Sequence, residues 1–278
     1  MTFQEFIQLL KNTDLQHVSR DKIIYTLHKN GIRLPILTSI IKKGEIIERG
    51  RISHEGRMFS SECEISYRTD IEKIDKYGRA NRPFQSMFYG SSPTRDIKHP
   101  TIVLFSELVE QFRNISKSNF ETTMTVGRWI VIDDFEVADI CFSENYFTVD
   151  ELKNRFELWV QKIQDTELNE ENYQNLLSFF SNEFAKANIN NHHDYKISSI
   201  YTDYVLNEKL NGICYPSVRT DYQGRNFALL PSAVEEYMEL REAAVFKYTI
   251  QNGEPLVINT HYSNELGAFN SRFVWKIC

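Results

Sequence analysis

The stretch YGRANRPFQSMFYGS, residues 77–91, restricts what this chain can fold into more than any other segment. A strand avoids Gly, Pro and Asn in its interior and a plain surface loop carries few rings, yet Gly78, Asn81 and Pro83 stand here among Tyr77, Phe84, Phe88 and Tyr89. A permissive backbone, the forked donors of Arg79 and Arg82, and several ring faces suit a loop that closely approaches a flat, anionic ligand. A hairpin-like connection whose rings join the core accounts for the same residues.

The chain has 278 residues, enough for one large domain or two small ones with a sizeable core. Its 41% apolar and 25% charged residues exclude a disordered or fibrous class. A formal net charge of -6 argues against nonspecific nucleic-acid binding, which needs a basic footprint. No apolar run approaches the roughly 18 residues of a spanning helix, so no membrane segment is expected. The opening MTFQEFIQLLKNTDLQHV carries Glu5 and no basic region ahead of its apolar stretch, unlike a secretory signal. Cys63, Cys141, Cys214 and Cys278 lack CxxC spacing, which disfavours a zinc site and a disulfide framework and predicts reduced thiols in a cytoplasmic protein.

Periodicity predicts a helical preface over residues 2–30, with Phe3, Phe6, Ile7 and Leu10 at helical spacing and a second segment that ends at Gly31. GEIIERGRIS, residues 44–53, predicts a strand with Arg49 and Arg51 on one face. Two cations facing one way serve either a solvated edge or an anionic ligand. HPTIVLFSELVEQFRN predicts a helix after Pro100 that buries Ile102, Phe105, Leu108, Val109 and Phe112. Glu107 falls among these apolar positions, where a carboxylate is costly unless it is paired or has a function. GRWIVIDDFEV predicts a strand, followed by a helical region over residues 148–186 in which Thr148 and Glu151 have capping-box spacing.

Further on, the helix SSIYTDYVLNEKL ends at Asn211-Gly212, the strand ICYPS follows, and a turn around Gly224 leads to the strand NFALL. Ser217 is either an ordinary turn residue after Pro216 or a ligand group at a strand end. FKYTIQNGEPLVINTHY predicts two strands around Asn252-Gly253.

Taken in order, ERGRIS, GRANRPFQSMFYGS, FSELVE and GICYPSVRTDYQGRNFALLP resemble the RES domain, a family named after its Arg, Glu and Ser and found in bacterial toxins paired with Xre-type antitoxins. The resemblance spans residues 44–231 with interruptions, most clearly in GRAN...FYGS and GxxYPSxR...GxNxALxP. It implies an α+β fold similar to ADP-ribosyltransferases, as a catalytic domain over 44–262. A helical segment over 1–43 would precede it, a helical insertion over 148–196 would interrupt it, and a tail over 263–278 would follow. The implied activity is degradation of NAD, by phosphorolysis or hydrolysis, or by transfer of ADP-ribose to a protein; a nonenzymatic module that binds a nucleotide or an antitoxin is the remaining alternative. The implied partner is an Xre-type antitoxin protein.

Carried over position by position, the family's arginine corresponds to Arg49, its tyrosine to Tyr89, its glutamate to Glu107 and its serine to Ser217. Arg51 competes with Arg49. Glu110 competes with Glu107 because the interval from Tyr89 is longer than in compact members. Arg51, Arg79, Asn81, Tyr89 and Asn226 are the implied contacts to NAD.

That chemistry asks for little acid catalysis. Breaking the nicotinamide-ribose bond builds positive charge on the ribose, and nicotinamide leaves as a neutral molecule, so one carboxylate suffices where ordinary glycoside hydrolysis needs two. Glu107 would stabilise the developing charge or hold a ribose hydroxyl. Arg49 would clamp the NAD pyrophosphate or an incoming inorganic phosphate co-substrate, Tyr89 would stack on the nicotinamide end, and Ser217 would hold the ribose or carboxamide. NAD is thus a substrate, and no cofactor is expected. There is no GxGxxG after a strand to support a dinucleotide-binding dehydrogenase. His192 and His193 in NHHDY are neighbours that should point apart, so no metal is expected there either.

Overall fold

The computed structural model describes residues 1–53, 56–115, 119–167 and 170–278. In chain order its elements are α1 (Phe3–Lys11), α2 (Arg20–Lys29), β1 (Thr38–Ile41), β2 (Ile46–Ser53), α3 (Glu62–Ile65), β3 (Phe88–Ser92), α4 (Pro100–Leu108) and α5 (Glu110–Arg113). There follow β4 (Phe120–Val131), β5 (Phe135–Asp139), α6 (Asp150–Ile163), α7 (Glu171–Phe184), α8 (Lys196–Asn207), β6 (Gly212–Pro216), β7 (Arg225–Leu229), α9 (Pro231–Tyr237), β8 (Met238–Gln251), β9 (Glu254–Ser263) and β10 (Lys276–Ile277). The fold is α+β. No helix among the described residues is long and apolar enough to cross a membrane.

The chain divides into two compact units, each assembled from three segments. The first takes Met1–Ser39, Asp70–Gln85 and Glu136–Val218, and the second Ile40–Thr69, Ser86–Phe135 and Arg219–Cys278. The N-terminal helices, the GRAN element and the long helical region thus share the first unit.

In that unit α1 starts on a capping box, in which the Thr2 side chain accepts from Glu5 N and the Glu5 carboxylate accepts from Thr2 N. Ser19 caps α2. Gly31, at φ +62, then reverses the chain so that Ile32 N donates to Leu27 O at 3.1 Å and the two side chains meet. Strands β5 and β6 pair in parallel. Asp139 on β5 is buried, and its carboxylate accepts from Ser39 Oγ (2.8 Å), Arg155 Nη1 (3.3 Å) and Trp159 Nε1 (3.3 Å). The expected capping box at Thr148 does not form. Val149 is the N-cap of α6 and supplies no side-chain bond, because Thr148 closes a preceding 3-10 turn.

The second unit is built on antiparallel strands in the order β7-β3-β2-β4-β8-β9-β10. Helix α4 lies on one face of β2, where Gly50 makes room: a Cβ there would stand 2.6 Å from Met124 Sδ and 3.3 Å from Leu108 Cδ1. The core under the helix is Leu104, Phe105, Val109, Met124, Val126, Tyr248 and Ile250.

Three expectations are corrected here. The helix after Pro100 breaks at Val109, which is extended, and it buries Val103, Leu104 and Phe105 while Ile102 and Leu108 are exposed. The strand read from GRWIVIDDFEV is two strands around a turn, and the first begins earlier, at Phe120. The 77–91 stretch ends in a strand, β3, whose Gly90 packs against β2 where a Cβ would be 2.7 Å from Ile47 Cγ2. The hairpin at Asn252-Gly253 forms as expected, both residues having positive φ (+54 and +84) as a two-residue turn with the right twist requires.

Candidate functional site

Directly opposed residues of antiparallel strands share a sheet face. The register therefore lays one polar row across the second unit: Asn226 opposes Ser91, Ser91 opposes Glu48, Glu48 opposes Arg128, and Arg128 opposes Glu242. Two positions from Ser91, Tyr89 faces the same way. Glu48 is only 2% exposed. Its Oε1 accepts from Arg128 Nε (3.0 Å) and Nη2 (2.8 Å), and its Oε2 accepts from Thr101 Oγ1 (2.6 Å) in the first turn of α4. Arg128 Nη1 also donates to Glu242 (2.7 Å). Burial alone would lower the guanidinium's pKa, but its two carboxylate partners outweigh that and raise it.

At the other end of α4, Asn226 Nδ2 donates to Glu107 Oε1 at 2.7 Å. The helix is thus tied to two strands by polar bonds at both ends. Arg113 donates to the carbonyl of Ser106. Burial, then the nearby Arg219, push the Arg113 guanidinium below its usual range, while Glu107 and Glu110 pull it back. Glu107 is half-buried and Glu110 exposed, so of the two competing glutamates Glu107 has the oriented carboxylate. An oriented carboxylate with a side-chain amide and the Arg113 guanidinium near it can stabilise a developing cation and hold an anion beside it.

Arg49 and Arg51 share a face as expected, and it is the opposite one. Arg49 is buried: its Nε donates to the carbonyls of Ile65 (3.1 Å) and Ser66 (2.9 Å), its Nη1 donates to that of Tyr89 (2.8 Å), and its guanidinium lies 5.3 Å from the Phe88 ring. Burial, with Arg51 and Arg68 adding repulsion, pushes its pKa down to about 10. Arg51 stacks on Phe59 at 4.6 Å and donates to the Glu64 carbonyl. The structure therefore brings together Glu107 and Asn226 on the Tyr89 face, and places Arg49 and Arg51 on the other.

In the first unit, Arg79 donates from Nη1 to the carbonyl of Phe184 and from Nη2 to that of Lys186 (3.1 Å), and it lies 5.0 Å from the Tyr195 ring. Asn81 is buried, and its Nδ2 donates to the Arg82 carbonyl (3.0 Å). Ser217 is fully buried just after β6. The rings of His192 and His193 do not point apart: their centroids are 4.0 Å from each other, because a 3-10 turn replaces the expected strand or helix, and both stand against Tyr77. No group of three or more His, Cys, Asp or Glu among the described residues is placed to hold a metal ion.

Sequence reasoning missed Glu48, Thr101, Arg113, Arg128 and Arg219. Glu48 had a signal, as a lone acid in an arginine strand, whereas the other four are ordinary helix, strand and loop residues until the register aligns them.

Fold and site together define an α+β protein with a polar row across an antiparallel sheet and an oriented carboxylate at its end. No family model matches the chain, and no curated protein matches it. Among solved structures it is similar to a chain of the crystal structure of the M. tuberculosis MbcT-MbcA toxin-antitoxin complex, with 11% sequence identity over 77% of this chain and 87% of that one and a TM-score of 0.38.

Proposed function

We propose that this chain is a RES-type enzyme that cleaves the nicotinamide-ribose bond of NAD. The observation that carries the reading is the Glu107 carboxylate, fixed by Asn226 at 2.7 Å on the sheet face of Tyr89, with the Arg113 guanidinium near it and Arg219 near Arg113. Glu107 stabilises the positive charge that builds on the ribose, and Asn226 holds the carboxylate in one orientation so that none of its effect is lost to reorganisation. Tyr89 stacks on the nicotinamide end. Arg113 and Arg219 supply the charge that an incoming phosphate needs, which favours phosphorolysis over hydrolysis. The resemblance also names Arg79, Asn81 and Ser217, which belong to the first unit. Arg49, held by three carbonyls on the other face, fixes β3 against β2 and so acts on Tyr89 through the backbone.

On the same reading the chain is the toxin of a toxin-antitoxin pair, restrained by an Xre-type antitoxin protein. The test is NAD consumption by purified protein with and without inorganic phosphate, products being resolved by mass. Phosphate-dependent ADP-ribose-1″-phosphate is the expected product, and Glu107→Gln should lower the rate by about 100-fold or more. Unmodified NAD in both buffers overturns the reading, and mass-shifted proteins in a cell extract redirect it to ADP-ribose transfer. In cells, wild-type expression should arrest growth and Glu107→Gln should not.

A further inference from the structure

The histidine pair of the first unit is used neither by the NAD reading nor by a metal. His192 and His193 lie on a 3-10 turn, with ring centroids 4.0 Å apart. The His192 ring stacks on that of Tyr77 at 6.0 Å, and its Nδ1 accepts the Tyr77 backbone N–H at 3.3 Å. Lys196, at the start of α8, holds its ammonium 5.6 Å from the same Tyr77 ring. That ammonium donates to the carbonyls of Leu15 and Val18, the second at 2.7 Å, and the residue is only 4% exposed, so a cation is fixed beside the pair.

An imidazole nitrogen accepts a hydrogen bond only while it carries no proton, so the bond to Tyr77 requires a neutral His192 protonated on Nε2. A further proton goes to Nδ1 and turns the acceptor into a donor that faces a donor. His193 is the poorer place for that proton. Its Nδ1 is buried with no hydrogen-bond partner among the described residues, so an N–H there would meet no acceptor. Burial, then His192 and Lys196, hold His193 below the usual histidine range, while Asp194 and Asp14 pull the other way.

The charges around the cluster are already engaged. Asp14 is held by His17 at 2.8 Å, and Asp203, which faces Tyr77 together with Asp21 and Arg82, is held by Arg20 at 2.7 Å. Asp194 accepts from the backbone N–H groups of Asn190 and Asn191. Among the described residues no carboxylate bonds either imidazole, so a proton arriving on the pair gains no ion pair.

We propose that the pair is an acid-sensitive latch on the segment that begins at Tyr77: neutral His192 holds the Tyr77 amide, and protonated His192 releases it. The release is local. Gly78 N still donates to Asn81 O at 3.0 Å, and Arg79 still donates to the carbonyls of Phe184 and Lys186. The latch is independent of the NAD reading and is tested without NAD.

NMR of the full chain, with isotope-labelled tyrosine and histidine, follows both partners from about pH 8 to about pH 5, the window in which histidine titrates. The Tyr77 amide proton should move upfield with the midpoint of His192, and its protection against solvent exchange should fall about tenfold as the bond is lost. His192→Asn keeps an oxygen where Nδ1 stands but takes up no proton, so its Tyr77 amide should stay bonded and constant over the same range. His192→Phe keeps a ring on Tyr77 without an acceptor, and its Tyr77 amide should sit at the acid position throughout. Three results would each overturn the proposal: a Tyr77 amide that stays constant while His192 titrates, a His192 that stays neutral to the acid end, or a shift that persists in His192→Asn and so belongs to Asp14 or Asp194.

Discussion

Thr101 makes one side-chain hydrogen bond that matters, and removing it leaves one oxygen of a buried carboxylate without that donor while Arg128 still holds the other. In Thr101→Val, Glu48 Oε2 loses its 2.6 Å donor while remaining inside the protein. Leaving such a group unsatisfied costs about 1–3 kcal/mol or more for an ionised one, which urea denaturation should read as a lower midpoint with an unchanged slope. Glu62 tests the opposite situation. Burial pushes its carboxyl up, Trp129 Nε1 at 3.1 Å pulls it down, and Glu239 adds a smaller upward push. A carboxyl whose pKa is raised on folding favours the folded state below its unfolded pKa and loses that contribution as pH rises through the folded one. Glu62→Gln keeps an oxygen for Trp129, so it should raise the melting temperature at pH 7.5 and have little effect at pH 4.

Legibility at this scale followed chemistry that shows in the letters. Arg49, Tyr89, Glu107 and Asn226 stand out by residue type within their segments. Glu48 and Arg49 are adjacent in the sequence yet face opposite sides of β2, and which side carries the chemistry is decided by what packs there. The register with β4 and the position of α4 settle it, and neither is local information.

Among the elements, β2 and α4 decide where Glu107 sits. Gly50→Ala should cost about 1–3 kcal/mol by overpacking against Met124 and Leu108. On the proposed reading, by displacing α4 it should also lower the turnover of NAD more than its apparent affinity. Matched denaturation and steady-state kinetics check both. The strongly periodic preface, the strand at 46–53 and the Asn252-Gly253 hairpin were legible because each carries its own turn or period signal. The break of α4 at Val109 was not, since nothing between Leu108 and Glu110 forbids helix. The extended Val109 is buried against β4 and β8, a tertiary preference overriding a local one. The start of β4 was missed because FETTMT has few apolar residues. Its threonines pair with β8, so the strand is defined by its partner.

For the molecule as a whole, the α+β class was readable from the mixture of periods, but the interleaving of three segments per unit was not, because no linker composition marks the crossings. How the surface avoids self-association is also visible only in three dimensions. Leu256, Val257 and Ile258 of β9 are exposed, and β10 covers β9 only at His261 and Tyr262. In the hairpin geometry Pro255 points its missing donor outward, and β10 stands where a second strand would need to extend. Pro255→Thr combined with removal of residues 276–278 should make the protein associate more strongly with concentration than the wild type does, as sedimentation velocity would read.

The two faces of β2 also limit how the chain can vary in length. Inserting a single residue between Ile46 and Glu48 turns the rest of the strand over, carrying Glu48 to the carbonyls built for a guanidinium and Arg49 to the place of Gly50, where Met124 and Leu108 leave no room for a side chain. Turns such as Asn252-Gly253 can lengthen without such a penalty. In evolutionary terms β2 is a reading frame: substitutions there can be tested one at a time, but an indel changes the meaning of every residue after it.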